Sequence, residues 1–230
     1  MTAGRPHPLR SILLALLVLT LDAALLALGL GGTPALAREP RALALLVVWG
    51  VAGVTLALLR PVRGHDAVES QRDPGAMLAL FFLPLLTPFV SALGASHGWL
   101  TLPAATAVSW AGVALVATGL AVRIAAMAQL GPRFSPVVAV QREHALETRG
   151  LYARVRHPGY LGALLACLGA ALAFGNALAL PLPALMLVAQ LARIRREETL
   201  LSRHFGDAWV RYREHTGALL PRFGRARALH

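Results

Sequence analysis

Long uncharged stretches set the pattern of this 230-residue chain. Apolar residues run from Ser11 to Leu30 with one interruption, Asp22. Charge is absent from Ala42 to Leu59, from Pro74 to Val122 and from Pro158 to Ala192. A helix needs ~20 apolar residues to cross ~30 Å of hydrocarbon. The 49-residue run from Pro74 to Val122 therefore holds two spans and a break, legible at Gly94-Ala95-Ser96-His97-Gly98 and Pro103. The pattern predicts helices near 11–30, 42–59, 76–94 and 102–127. The last run is too long for one span and short for two. Phe174-Gly175-Asn176 with Pro181 and Pro183 in its middle makes 159–192 a helical hairpin whose legs only just traverse the membrane. The expected fold is all-α, an integral membrane helical bundle of four spans plus a C-terminal helical hairpin.

Composition agrees: 57% of residues are hydrophobic, 14% are charged, and mean hydropathy is +0.61. A single cysteine, Cys167, excludes a disulfide framework and a cysteine-cluster metal site, and no metal is expected. The net charge is +11, and all 22 basic residues are arginines. Positively charged loops resist translocation. With the N-terminus inside, 20 arginines fall on the cytoplasmic side and only Arg38 and Arg41 outside. This sets an N-terminus-in topology and inner-leaflet contact with anionic lipid headgroups. The arginine excess thus reports orientation, and no nucleic-acid motif accompanies it.

The first apolar segment has two readings. Arg5 and Arg10 before it and Ala35-Leu36-Ala37 after it resemble the flanks of a cleavable signal peptide, but its length favours a retained helix. Asp22 within it is either functional or a bundle-facing carboxylate without a catalytic part.

The chain divides into a transmembrane scaffold, 1–120, and a chemistry-bearing core, 121–230. In the first part, Gly50, Gly53, Ala105, Gly112 and Gly119 fit close helix packing. From Arg123 onward lie 15 of the 22 arginines, six of the eleven acidic residues and five of the eight histidines, split around the hairpin. Hairpin geometry brings the groups on either side together at one face. Before the hairpin, Gly150 permits a turn, Pro158 suits a first helical turn, and Gly159 and Gly162 allow close approach. The Tyr152, His157 and Tyr160 rings suit an adenine and ribose; the alternative is an interfacial belt at headgroup level. After it, Arg193 and Glu197 share a helix face, serving either a ligand or a solvated surface. Phe205, Trp209 and Tyr212 recur at four and three, as in an amphipathic helix on the inner leaflet or capping the bundle.

The ordered set Gly150-Leu-Tyr152-Ala-Arg-Val-Arg156-His157-Pro158-Gly-Tyr160-Leu-Gly162, an apolar hairpin of about 35 residues, then Arg193-Ile194, Glu197-Glu198, Leu201, Phe205-Gly206 and Tyr212 closely resembles the isoprenylcysteine carboxyl methyltransferase family over roughly residues 120–224. The resemblance implies a membrane-embedded methyltransferase using S-adenosylmethionine at a cytoplasmic pocket. No Gly-rich strand-to-helix fingerprint of the soluble Rossmann type is present. Matched to the family's motifs, the cofactor contacts fall on His144, Ala145, Leu146 and Glu147, on Tyr152, on His157, Pro158, Gly159 and Tyr160, and on Glu197. The substrate-associated arginine falls on Arg193, so Arg193 and Glu197 carry the catalytic expectation. Two positions depart: Glu147 replaces a small apolar residue, and Ala139 stands where some members have a cofactor-contacting glutamine, with the intervening loop two residues shorter.

A carboxylate acceptor is ionised at neutral pH and needs no base. Arg193 would position it while Glu197 holds the cofactor. An amine acceptor, as in lipid-amine methylation, would need a proton acceptor such as Glu198 or His157. The expected substrate is lipophilic, an isoprenylcysteine-like acid or another lipidated or hydrophobic molecule, entering laterally from the bilayer. Arginine- and alanine-rich, lysine-free composition suggests a bacterial inner membrane. A non-enzymatic lipid-binding or transport protein is the competing class; it would be expected to place its ionisable groups mid-membrane, where only Asp22 qualifies.

Overall fold

The computed structural model describes residues 8–59, 67–71, 74–131, 138–141 and 146–222. Helix α1 (Pro8–Leu30) crosses to a short α2 (Thr33–Arg38), and α3 (Pro40–Leu59) returns. Strand β1 (Ala67–Gln71) precedes α4 (Pro74–Ser96), and α5 (Ala105–Leu130) leads into β2 (Val138–Gln141). A 3-10 turn at Gly150–Ala153 introduces the hairpin of α6 (Pro158–Leu172) and α7 (Pro181–Phe205), and α8 (Asp207–His215) follows. Helices α1, α3, α4 and α5 are long and apolar enough to span a membrane, in agreement with the four expected spans. The fold is an all-helical membrane bundle with one addition to the expectation. The loops before α4 and after α5 form a short antiparallel pair, with Ser70 opposite Ala139 and Gln71 opposite Val138. Both lie on the face where α6 begins, called proximal below.

Helix α1 lies against α3 and α4, α5 against α3 and α6, and α7 against α4 and α6. Their shared core includes Leu26, Leu45, Ala92, Val116 and Phe174. Outward leucines and valines such as Leu17, Leu28, Val47 and Val188 stay exposed, as a lipid-facing surface requires.

The closest seam is between α5 and α6, built from two glycine pairs seven residues apart. A Cβ on Gly119 would lie 2.5 Å from Gly162 O and Ala166 N, and one on Gly169 would lie 2.5 Å from Gly112 O. Small residues let backbones touch where lipid provides no hydrophobic drive to associate. Gly112 and Gly119 thus pack as their sequence setting predicts.

At 15 residues, α6 rises only ~22 Å, short of a full crossing. The hairpin tip is accordingly buried in protein. Asn176 is 1% exposed, and its amide donates to Ser91 O at 2.7 Å. Ala177 N donates to Leu100 O, and Leu102 N to Gly175 O, both at 2.9 Å. The non-helical backbone at the tip is therefore satisfied by neighbours. Ser91 adds a 2.8 Å bond to Ala171 O. On the same distal side Arg41 is held by Glu39 at 2.7 Å and reaches Ser109 at 3.1 Å.

Candidate functional site

The proximal site starts with a turn that only glycine can make. Gly150 has φ 54°, and a Cβ there would strike the Gln129 amide at 2.7 Å. That amide grips the turn from both sides, donating to Arg149 O at 2.6 Å and accepting from Leu151 N at 3.2 Å. Tyr152 is thereby fixed inward, its hydroxyl donating to Ala126 O at 3.3 Å and its carbonyl accepting from Tyr212 at 2.7 Å. Burial first, and neighbouring Glu197 second, push the Tyr152 phenol above its usual range, so it stays neutral.

The next residues are fastened to the distant C-terminal segment. Arg156 N donates to Gly217 O at 2.8 Å and His157 N to Ala218 O at 3.0 Å. The Arg156 guanidinium donates to Glu198 at 2.8 Å and also to Thr216 O. His157 shares a 3.2 Å hydrogen bond with the same Glu198 oxygen. Burial alone would raise the Glu198 carboxyl, but the hydrogen bonds from His157 and Arg156 outweigh it and hold the group below its ordinary range.

One helical turn on, Tyr160 joins the two sides of the hairpin. Arg193 Nε donates to Tyr160 Oη at 2.7 Å, and that hydroxyl donates to Glu197 at 3.0 Å. The other Glu197 oxygen lies 4.0 Å from His157 Nδ1. Gln190, fully buried, donates to Tyr160 O at 3.1 Å. Arg123 donates to Gly159 O at 3.0 Å, at the point where α5 meets the start of α6.

These groups line a cavity of about 710 Å³. Its proximal wall includes Glu147, Tyr152, His157, Arg193, Glu197 and Trp209. It continues inward along α6 to Ala170, twelve residues beyond Pro158 or ~18 Å of helix rise, and its wall also takes in Val18 and Asp22 from α1, Trp49 from α3 and Phe81 from α4. Among the described residues, no cluster of three or more His, Cys, Asp or Glu side chains could hold a metal.

Tyr152, His157, Gly159, Tyr160, Arg193 and Glu197 line this one cavity, as do Leu146 and Glu147, while Pro158 is buried behind it. His144 and Ala145 lie outside the described residues. Glu147 turns back on Arg149, accepting from its N–H at 3.2 Å and its Nε at 3.4 Å. Trp209 is 1% exposed, so α8 caps the bundle. Sequence reasoning missed Gln190 and Arg123. Gln190 had a signal, because Gln190, Arg193, Glu197 and Leu200 recur at helical spacing on one face and all four line the cavity.

Residues 112–203 match the isoprenylcysteine carboxyl methyltransferase (ICMT) family. The match covers 92 of the 230 residues. It holds every polar cavity group named above from Arg123 to Glu197 and excludes α1, α3 and α4. The protein-S-isoprenylcysteine O-methyltransferase of Schizosaccharomyces pombe is 39% identical over 106 residues, covering 45% of each chain. Protein-S-isoprenylcysteine O-methyltransferase A of Arabidopsis thaliana is 29% identical over 181 residues, covering 76% of this chain and 83% of that protein. The match thus spans under half of the fission yeast relative. The solved eukaryotic intramembrane Ras methyltransferase ICMT shares the fold, with a TM-score of 0.56 at 23% identity, covering 86% of this chain and 72% of that one.

Proposed function

We propose that this chain is a membrane-embedded methyltransferase that uses S-adenosylmethionine to methylate the carboxylate of a lipophilic, isoprenylcysteine-like substrate. The observation that carries this reading is the single cavity joining the Tyr160, Arg193 and Glu197 cluster to an apolar interior. A charged donor and a greasy acceptor need such a passage to meet. The names of the ICMT relatives support the same class.

The residues present suit the cofactor. Trp209 Nε1 and Gln190 Oε1 are buried and lack hydrogen-bond partners among the described residues, and both side chains line the cavity. Tyr152 and His157 offer ring faces, and Glu197 a carboxylate for a cationic group. His144 and Ala145 complete the proposed contacts. When bound, S-adenosylmethionine supplies an electrophilic methyl carbon, to which a carboxylate oxygen bonds as the sulfonium carbon–sulfur bond breaks, with no proton to move. The chain's own part is placement. Arg193, 5% exposed and braced by Tyr160, holds the acceptor carboxylate, and Tyr160 fixes Glu197 relative to it. Burial of Arg193 away from water strengthens its contact. Glu198 is engaged by Arg156 and His157 at the rim, which favours a carboxylate acceptor over an amine that would need a free base.

Orientation belongs to the same proposal: N-terminus and cofactor mouth on the cytoplasmic side of a bacterial inner membrane, with residues 121–230 forming the catalytic core. The 20 arginines assigned to that side support it.

The test uses the full chain in detergent, with titration of S-adenosylmethionine and transfer of radiolabelled methyl to an S-prenylcysteine. Expected are binding weakened at least tenfold in Glu197→Ala and His157→Ala, and label released from the lipid product by alkali, as a methyl ester demands. Wild-type cofactor affinity in both variants, or alkali-stable label, would overturn the assignment.

A further inference from the structure

Asp22 is the one acidic residue within the four membrane-spanning helices. It sits 14 residues into α1, ~21 Å along the helix from its start, well inside the apolar layer. It is 9% exposed, and it lines the cavity one turn deeper along α1 than Val18. Among the described residues it has neither a hydrogen bond nor an ion pair. Of the arginines that share the cavity wall, Arg123 donates to Gly159 O, Arg156 to Glu198 and Arg193 to Tyr160. Intramembrane carboxylates without partners are costly to keep and mark functional positions.

The surroundings narrow what Asp22 can serve. The wall from α1, α3 and α4, called the inner wall below, is otherwise apolar, including Val18, Trp49, Met77, Phe81 and Leu85, while the polar cluster is carried by α5 and the elements after it. A pure hydrocarbon tail lying along this wall would press carbon against the carboxyl group and leave it without solvent or partner. A tail bearing an O–H or N–H at that depth would satisfy it. A site built around such a bond rejects the analogue that lacks the donor far more strongly than an apolar pocket discriminates by size. Asp22, Trp49 and Phe81 also lie outside residues 112–203, so this wall belongs to the part of the chain that the family match leaves open.

We propose that Asp22 is a substrate-specificity residue that accepts a hydrogen bond from a hydroxyl or amino group carried on the lipophilic tail of the substrate. The inference rests on the methyltransferase reading above and narrows its acceptor: a tail that carries such a donor is preferred over a plain isoprenoid.

The probes are isoprenoid thioether carboxylic acids, one unsubstituted and others carrying a single hydroxyl or primary amine walked along the tail. Binding to the full chain is read by tryptophan fluorescence, with Trp49→Phe identifying the signal from the inner wall. One substituted acid should bind wild type at least ~10-fold tighter than the unsubstituted acid, a preference that Asp22→Leu abolishes. Asp22→Asn should keep preference for the hydroxyl and lose it for the amine, which separates the two donors. Equal or tighter wild-type binding of the unsubstituted acid overturns the proposal, as does a preference that survives in Asp22→Leu. If Asp22→Leu does not fold, the wild-type ratio and the Asn variant decide. A favoured acid that binds with this preference but accepts no methyl would sink the methyltransferase reading and leave the recognition standing.

Discussion

Two walls of the cavity treat their polar groups in opposite ways. At the proximal rim each carboxylate is already engaged: Glu147 by Arg149, Glu197 by Tyr160, and Glu198 by Arg156 and His157. On the inner wall Asp22 stands among the apolar side chains of α1, α3 and α4. The rim is therefore organised before any ligand arrives, so little ordering is left to be done on binding. The inner wall leaves its one strong interaction for the ligand. Rim positions should accordingly govern rate and cofactor affinity, and the inner wall should govern which acceptor is taken.

The largest expected effect that would break this contrast is at Arg193. Arg193→Ala should lower kcat/KM by ~10²–10³-fold, as loss of a buried charge-orienting donor does. Arg193→Lys should recover little of it, because a point charge does not reproduce the guanidinium fork. Steady-state kinetics beside a cofactor titration would check both, and a normal rate in the alanine variant would remove Arg193 from the rim's machinery.

Next comes the seam that holds the rim to the bundle. Gly162→Val places a Cβ 2.5 Å from Gly119 O, and overpacking of this kind costs roughly 1–3 kcal/mol. Gly53→Ala, whose Cβ would meet Ala15 Cβ at 3.4 Å, should stay within ~0.5 kcal/mol. Thermal unfolding in one detergent compares the two; similar midpoints would show that α5 and α6 separate without consequence.

Glu198 gives a pH-dependent test. Its folded pKa lies below the unfolded value, so its stabilisation is complete above the unfolded carboxylate range and lost as pH falls through the folded value. Glu198→Gln should lower stability by ~1–2 kcal/mol at neutral pH. The variant and wild type should converge as pH drops below ~4. A gap that persists in acid would assign the effect to shape instead of charge. Smallest of all is Leu28→Ala on the lipid-facing surface, 67% exposed, expected within ~0.5 kcal/mol.

Hydropathy alone located all four spans, because transfer of ~20 side chains into hydrocarbon outweighs any local detail. The rim was legible through spacing and family resemblance, and Tyr160, Arg193 and Glu197 do converge. Bonds between segments far apart in sequence were not legible. Nothing near Arg156 announces Gly217 or Thr216 as partners, and nothing in α1 announces that Asp22 shares a cavity with Glu197. Gln190 was passed over because the runs were delimited by charge, which an uncharged amide does not interrupt. The β1–β2 pair was missed for another reason: its main-chain pairing joins two loops whose side chains carry no strand alternation strong enough to notice.

The pairing of Arg156 and His157 with Gly217 and Ala218 also bears on the order of assembly. Synthesis makes all four spans before this segment, so Arg156 and His157 wait for their main-chain partners until Gly217 and Ala218 exist. A chain cut before Thr216 would keep the spans and lose the fastening of the rim.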